Sequence, residues 1–266
     1  MDGQFGHLVG NLGDLAMAAH KYRNPPIIEA LCEFTFTPLP TSEGNFFILP
    51  GLLKAELGVD YSGTAREQRL QSVVPDKKSN IAVQDHLFRI QLPTGDGTRL
   101  LSIGPNTLGV SILKPSGEEG WEGEFLPRIT KALKAYKKVA KPLNVLRIGL
   151  RYINQIQIPK SDANIEDYIA ISSNKPQLLK AKLLSFVWRY EYIREDSTKI
   201  IVTCAKTITA IPDHTGVLLD IDTIWDSKPI SDEKEIIKKV KDLHRLEGTV
   251  FEALITASAK ELFDAQ

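Results

Sequence analysis

Acidic and basic side chains at alternate positions of apolar segments are the residues of this chain best suited to chemistry. Asp220 and Asp222 flank Ile221, Arg189 and Glu191 flank Tyr190, and Arg147 and Arg151 bracket Gly149. In an extended strand, residues two apart share a face, so each set projects from one side of its segment. Paired carboxylates on one face suit a hard divalent cation or the acid/base work of a hydrolase or nuclease. The pair lacks a third ligand with compelling spacing, because His214 falls in the turn Pro212-Asp213-His214-Thr215-Gly216. Such pairs are also common on solvated strands, so no metal is assigned. Arg147, Arg151, Arg189, Glu191, Asp220 and Asp222 together form a candidate polar surface for a charged ligand or partner. The plainer reading is a solvated sheet face whose charges discourage edge-to-edge aggregation.

Other chemistry-bearing residues are scattered. His7, His20, His86, His214 and His244 form no HxH or HxxxH pair, and Cys32 and Cys204 lie far apart. That spacing is neither a zinc site nor a disulfide framework. Alternation puts Cys32 on an apolar face with Phe34, as a buried structural thiol, and leaves Cys204 open. The chain contains no GxSxG, Walker A or dinucleotide fingerprint, so no cofactor and no catalytic residue is assigned. Gly117-Glu118-Glu119-Gly120 precedes a helix, yet its carboxylates would repel a phosphate. That helix is basic through Arg128, Lys131, Lys134, Lys137, Lys138 and Lys141, with acids only at its start. Lys131, Lys134, Lys138 and Lys141 would track a nucleic-acid backbone, although acid first and base last is also what the helix dipole favours.

Strands must present the alternating charges, and they come in two similar sets. Ile27-Ile28-Glu29-Ala30-Leu31-Cys32-Glu33-Phe34 aligns without gaps on Val145-Leu146-Arg147-Ile148-Gly149-Leu150-Arg151-Tyr152. Glu29 and Glu33 stand in the first copy where Arg147 and Arg151 stand in the second. Antiparallel pairing across a pseudo-twofold at Leu31/Gly149 would set Glu29 against Arg151 and Glu33 against Arg147, with Gly149 making room for Leu31. Pairs of this kind contribute roughly 0.2–1 kcal/mol each, so they fix register more than stability.

Periodicity predicts a strand over 27–37, a helix within 45–58 restarted at Pro50-Gly51, and a polar stretch with a helical patch near 65–71. Strands follow at 84–92, 98–104 and 107–114, then a helix over 121–140, with Asp96-Gly97 as a hairpin turn. After Pro142 the series begins again: strand 144–158, a short helix at 164–171, strands 185–194, 199–208 and 216–225, and a helix from Asp232. Trp188, Tyr190 and Tyr192 fall on the core side. An N-terminal arm (1–22) therefore precedes two β-α-β-β-β-α halves, 23–142 and 143–266, packed as one domain. The fold class is α+β, with a continuous, mainly antiparallel curved sheet and helices on one face. This layout resembles the saddle of TATA-binding-protein-like folds, each half being one strand short, a likeness that carries no function.

The C-terminal run opens with Asp232-x-x-Glu235, a capping-box pattern, and stays periodically apolar to Phe263. Unbroken it would be about 45 Å long, more than the ~20 Å of a strand. Either Gly248 breaks it or its distal part docks on a second chain, which makes it the expected surface for a protein partner or homodimer. Lys+Arg 33 balances Asp+Glu 33, which argues against dedicated nucleic-acid binding and removes repulsion between copies. The chain start lacks a basic, apolar leader pattern, no stretch approaches the ~18 apolar residues of a span, and two cysteines suit a reducing compartment. A cytoplasmic protein without membrane contact is expected.

The stretches NPPIIEALCEF, LRIGLRYINQI and LHRLEGTVFEALITASAKELF together resemble a sporadically distributed prokaryotic protein family of roughly this length, with no activity attached to it. Its pattern runs N-P-P-I-x-E-A, R-I-G-x-R-Y-I-N and F-E-A-x-I-T, and this chain departs from it at Ala257-Ser258, where an acidic residue is usual. The resemblance implies an accessory or defence-related role and supplies no site residue. The expected function is a non-enzymatic interaction or regulatory module. The alternatives are a nucleic-acid-binding accessory protein, using the charged face or helix 121–141, and a metal-dependent hydrolase or nuclease at Asp220/Asp222.

Overall fold

Alternation along each strand decides which of its sides is buried. A computed structural model describes residues 22–38, 47–74, 82–115, 120–142, 144–159, 163–171 and 184–264. The N-terminal arm lies outside this set except for Tyr22. The chain runs through β1 (Ile27–Phe36), α1 (Leu49–Leu57), β2 (Arg66–Val74), β3 (Ala82–Pro93), β4 (Arg99–Ile103) and β5 (Thr107–Leu113). One turn of π-helix (Gly120–Phe125) leads into α2 (Leu126–Ala140), followed by β6 (Val145–Ile158), β7 (Val187–Ile193), β8 (Lys199–Thr207), β9 (Thr215–Trp225), α3 (Glu233–Leu254) and α4 (Ala257–Asp264). Among the described residues, strands β1 to β9 form one antiparallel sheet in the order β2-β3-β4-β5-β1-β6-β9-β8-β7. The fold is α+β.

One face of the sheet carries the core. Ala30, Cys32, Phe34 and Phe36 of β1 and Ile148 and Leu150 of β6 are buried, together with Leu53, Ile129, Leu133, Ile236 and Val240 from α1, α2 and α3. A second cluster joins Val202, Cys204, Leu219 and Ile221 to Ala259 and Phe263 of α4. Burying each large apolar side chain contributes about 1.5–3 kcal/mol, which is why these helices stay on that face. Cys204, left open by its sequence, is thus a core residue like Cys32, and burial pushes its thiol up to about 12.

Four expectations need correction. Residues 65–71 lie largely in edge strand β2, whose pairing with β3 overrides a weak local helical preference; the first half therefore has one strand more than β-α-β-β-β-α. The helix expected over 164–171 shrinks to a 3-10 turn, Ile165–Asp167, after which Ile169 makes a bridge to Ile255. α3 passes through Gly248 without interruption and ends at Leu254. A Cβ at Gly248 would meet nothing within 4 Å, and packing of α3 on β6 and β9 outweighs the ~1 kcal/mol helix penalty of glycine. The distal apolar residues Ala259 and Phe263 turn back as α4 and are buried within the same chain.

Asp232 caps α3, its side chain accepting from the Glu235 N–H at 2.9 Å. α2 ends at Lys141, left-handed at φ 50. Beneath α2, Tyr136 stacks on Phe36 with ring centroids 4.5 Å apart, yet its hydroxyl is buried without a hydrogen-bond partner. A buried, unsatisfied hydroxyl costs about 1–3 kcal/mol. Tyr136→Phe is therefore expected to stabilise the protein by about 1 kcal/mol in urea unfolding; a loss of stability would show that the hydroxyl has a partner in solution.

Candidate functional site

β1 and β6 pair antiparallel at the middle of the sheet, but in a register two residues from the expected one. Glu33, not Leu31, lies opposite Gly149; Leu31 faces Arg151 and Glu29 faces Ile153. A slip of two keeps every side chain on its own face, so the charges still line the side of the sheet opposite the core. Glu33 meets Arg147 on the diagonal, Nη1 to Oε1 at 3.3 Å, and also Arg89 of β3 at 3.2 Å. No ion pair joins Glu29 to Arg151 among the described residues. Arg151 turns to β9 instead, donating from Nε and Nη2 to Asp220 at 2.8 and 2.6 Å. That two-pronged fork is stronger than a single contact. Gly149 makes room for the Arg147 guanidinium, which a Cβ there would meet at 3.1 Å. Leu31 sits over Gly109, 3.5 Å from where a Cβ would be.

Asp222 lies directly across from Arg151. Burial pushes its carboxyl up to about 6, against the pull of Arg147 and Arg151. Arg189 and Glu191 do not join this cluster. They pair with each other at 2.8 Å on β7, with the Thr203 position of β8 between Arg189 and Asp220. Glu33 and Asp220 are paired with arginines, and both Asp220 oxygens are taken by Arg151, where a cation would have to sit. Among the described residues no three His, Cys, Asp or Glu side chains cluster as metal ligands.

Of the four candidate lysines at α2, three have acidic partners, and Lys141, at the end of the helix, has none among the described residues. Lys131 pairs with Asp60 at 2.8 Å, Lys134 with Glu233 at 3.4 Å and Lys138 with Glu56 at 2.8 Å. These contacts tie α2 to its neighbours and offset the charge a phosphate backbone would seek.

The less compensated surface lies on the core side, at the far end of the sheet. α3 packs on β9 and β6 but stops short of β7, leaving a cavity of about 850 Å³ between α3 and β7–β8. Tyr190 and Tyr192 point into it and remain 38% and 54% exposed, their rings 6.4 Å apart and nearly parallel. Alternation placed them on the correct face; what failed is the expectation of cover. Trp188 does pack, stacked on Phe186 at 4.0 Å. Ile200, Val202, Leu246 and Val250 line the walls. The rim carries the Arg194–Asp196 and Arg245–Asp242 ion pairs and Lys239, whose Nζ is 5.9 Å from the Trp225 ring centroid.

One buried polar cluster escaped the sequence reading. Glu247 is only 5% exposed, and burial pushes its carboxyl up to about 8. One helical turn earlier, His244 is stacked on Trp121 at 3.8 Å and bonded through Nδ1 to the Tyr152 hydroxyl at 3.2 Å. Burial pulls its imidazole down to about 4 and pushes the Tyr152 phenol well up. The signal was available: Glu247 falls four residues after Leu243 and seven after Val240, in the apolar stripe of α3. No protein-family model matches the chain, and no curated protein is similar to it in sequence.

Proposed function

We propose that this chain is a non-catalytic interaction protein that seats an amphipathic segment of a protein partner in the groove between α3 and β7–β8. The observation that carries this reading is the exposure of Tyr190 and Tyr192 beside the long apolar wall of α3. Partly exposed tyrosines beside aliphatic walls and a charged rim are the composition of partner-binding grooves. An accessory or regulatory role in the cytoplasm goes with it, and no helix among the described residues is long and apolar enough to cross a membrane. The reading includes an internal duplication, supported by strand order: outward from the midline, β1-β5-β4-β3 and β6-β9-β8-β7 follow the same sequence.

A second reading is nucleic-acid binding, favoured by the stacked tyrosines in a groove that also carries Lys239, since exposed aromatics next to cations stack bases. Photo-crosslinking from position 192 in cells separates the two. A protein adduct lost in the Val250→Glu variant, with no adduct from a control at Thr203, supports the first reading. A nucleic-acid adduct transfers the function to the second, and no groove-dependent adduct refutes both.

A further inference from the structure

β7 is an edge strand, and its residues Val187-Trp188-Arg189-Tyr190-Glu191-Tyr192-Ile193 match in chemical type when read from either end. We propose that two copies of this chain join antiparallel through β7 about a twofold axis at Tyr190, continuing one sheet into the other. This goes beyond the groove reading and does not depend on it.

The backbone faces the right way. Arg194 N–H donates to Thr198 O at 2.9 Å, and Lys206 N–H donates to Phe186 O at 3.2 Å, so even-numbered residues of this hairpin exchange bonds with β8. Successive residues of an antiparallel strand alternate their hydrogen-bonding direction. Val187, Arg189, Glu191 and Ile193 therefore aim their N–H and C=O groups at the open edge, where no strand lies among the described residues.

The side chains then choose one register. Centred on Tyr190, each Arg189 faces the Glu191 of the other copy, Val187 faces Ile193, and Trp188 faces Tyr192. The charged and aliphatic pairs occupy hydrogen-bonded positions, and the aromatic pairs occupy the closer, non-hydrogen-bonded ones. Centring on Arg189 or on Glu191 instead sets like charges directly opposite, which is destabilising. A symmetric contact of this kind closes on itself as a dimer and cannot propagate.

Over the side chains that are described, the two edges of the sheet differ in the way this requires. β2 opens with exposed Arg66, Glu67, Gln68 and Arg69, charge of the sort that blunts an edge. β7 instead exposes Val187 at 68% and Ile193 at 70%. The two Arg189–Glu191 contacts, one within each β7, are exchanged for two contacts across the axis. A single strand pair buries less than the ~1,200 Å² of a standard stable interface, so the dimer is one that dissociates on dilution. On the groove side it brings Tyr190 against Tyr190, so the two cavities meet at the axis.

Sedimentation velocity of the full chain over about 1–100 µM tests this. Wild type should shift from monomer to dimer across the range. Arg189→Glu and Glu191→Arg should each weaken dimerisation at least about tenfold, through two lost and two repelling pairs. Both residues are more than half exposed, and unchanged circular-dichroism melting verifies folding. An equimolar mixture of the two variants should recover the dimer, because each charge again meets its opposite across the axis. A wild-type monomer at every concentration overturns the proposal, as does a dimer indifferent to both substitutions or a mixture that stays monomeric.

Discussion

Replacing Glu247 with glutamine is expected to stabilise the protein at about pH 9 and leave it nearly unchanged at about pH 4. The carboxyl ionises near 4.5 when solvated but holds its proton to about 8 inside the fold, because burial disfavours the charged form. Between those values the unfolded chain binds fewer protons than the native one, so stability falls as pH rises. It is fully present below the unfolded value and lost through the folded one. At about 1.4 kcal/mol per pKa unit, the wild type gives up on the order of 5 kcal/mol across that window, and a glutamine has no proton to lose. His244 works in the opposite direction. Its imidazole, pulled from 6.5 to about 4, contributes stability present above the unfolded value and lost as pH falls through the folded one. Their opposite slopes nearly cancel between about pH 4.5 and 6.5, so together the two residues predict a broad stability maximum in that window. Urea titrations across the pH range check this; parallel profiles for wild type and Glu247→Gln would refute the alkaline limb.

Glu124→Gln is expected to destabilise the protein by about 3 kcal/mol at neutral pH. Glu124 is buried and accepts from Arg99 of β4 and, at 3.2 Å, from Arg128 of α2. It thereby joins the π-turn, the sheet and the first turn of α2. Burial pushes its carboxyl up, but the hydrogen bonds and charges of Arg99 and Arg128 outweigh this and hold it below the ordinary value. Its stability is accordingly present above about 4.5 and lost as pH falls below that value. Glutamine keeps the shape and one acceptor but leaves two guanidinium charges without a counter-ion in a half-buried site. A midpoint shift equivalent to less than about 1 kcal/mol would mean that water compensates both.

The strands were legible because their buried faces repeat every second residue. Ala30, Cys32, Phe34 and Phe36 announce both the strand and its inward side, and the acidic β1 beside the basic β6 announced the midline pair. The register was not legible. Arg151 had two acidic candidates, Glu29 and Asp220, and its choice depends on β9 lying on the far side of β6, which no local pattern records. β2 was missed for a related reason: Arg66-Glu67-Gln68-Arg69 has no apolar alternation, being an edge strand whose exposed end is charged. The tyrosines of β7 show the converse case, in which periodicity assigned the correct face but could not show that α3 stops before reaching them.

The seam between β1 and β6 also constrains the order of events during synthesis. Residues 27–36 leave the ribosome long before residues 145–158, a delay on the order of ten seconds at ordinary translation speed. Throughout that interval β1 can pair with β5 but offers its other side to any strand nearby. A nascent chain therefore spends those seconds with its future centre serving as a temporary margin, and chaperone demand should peak before the second half emerges.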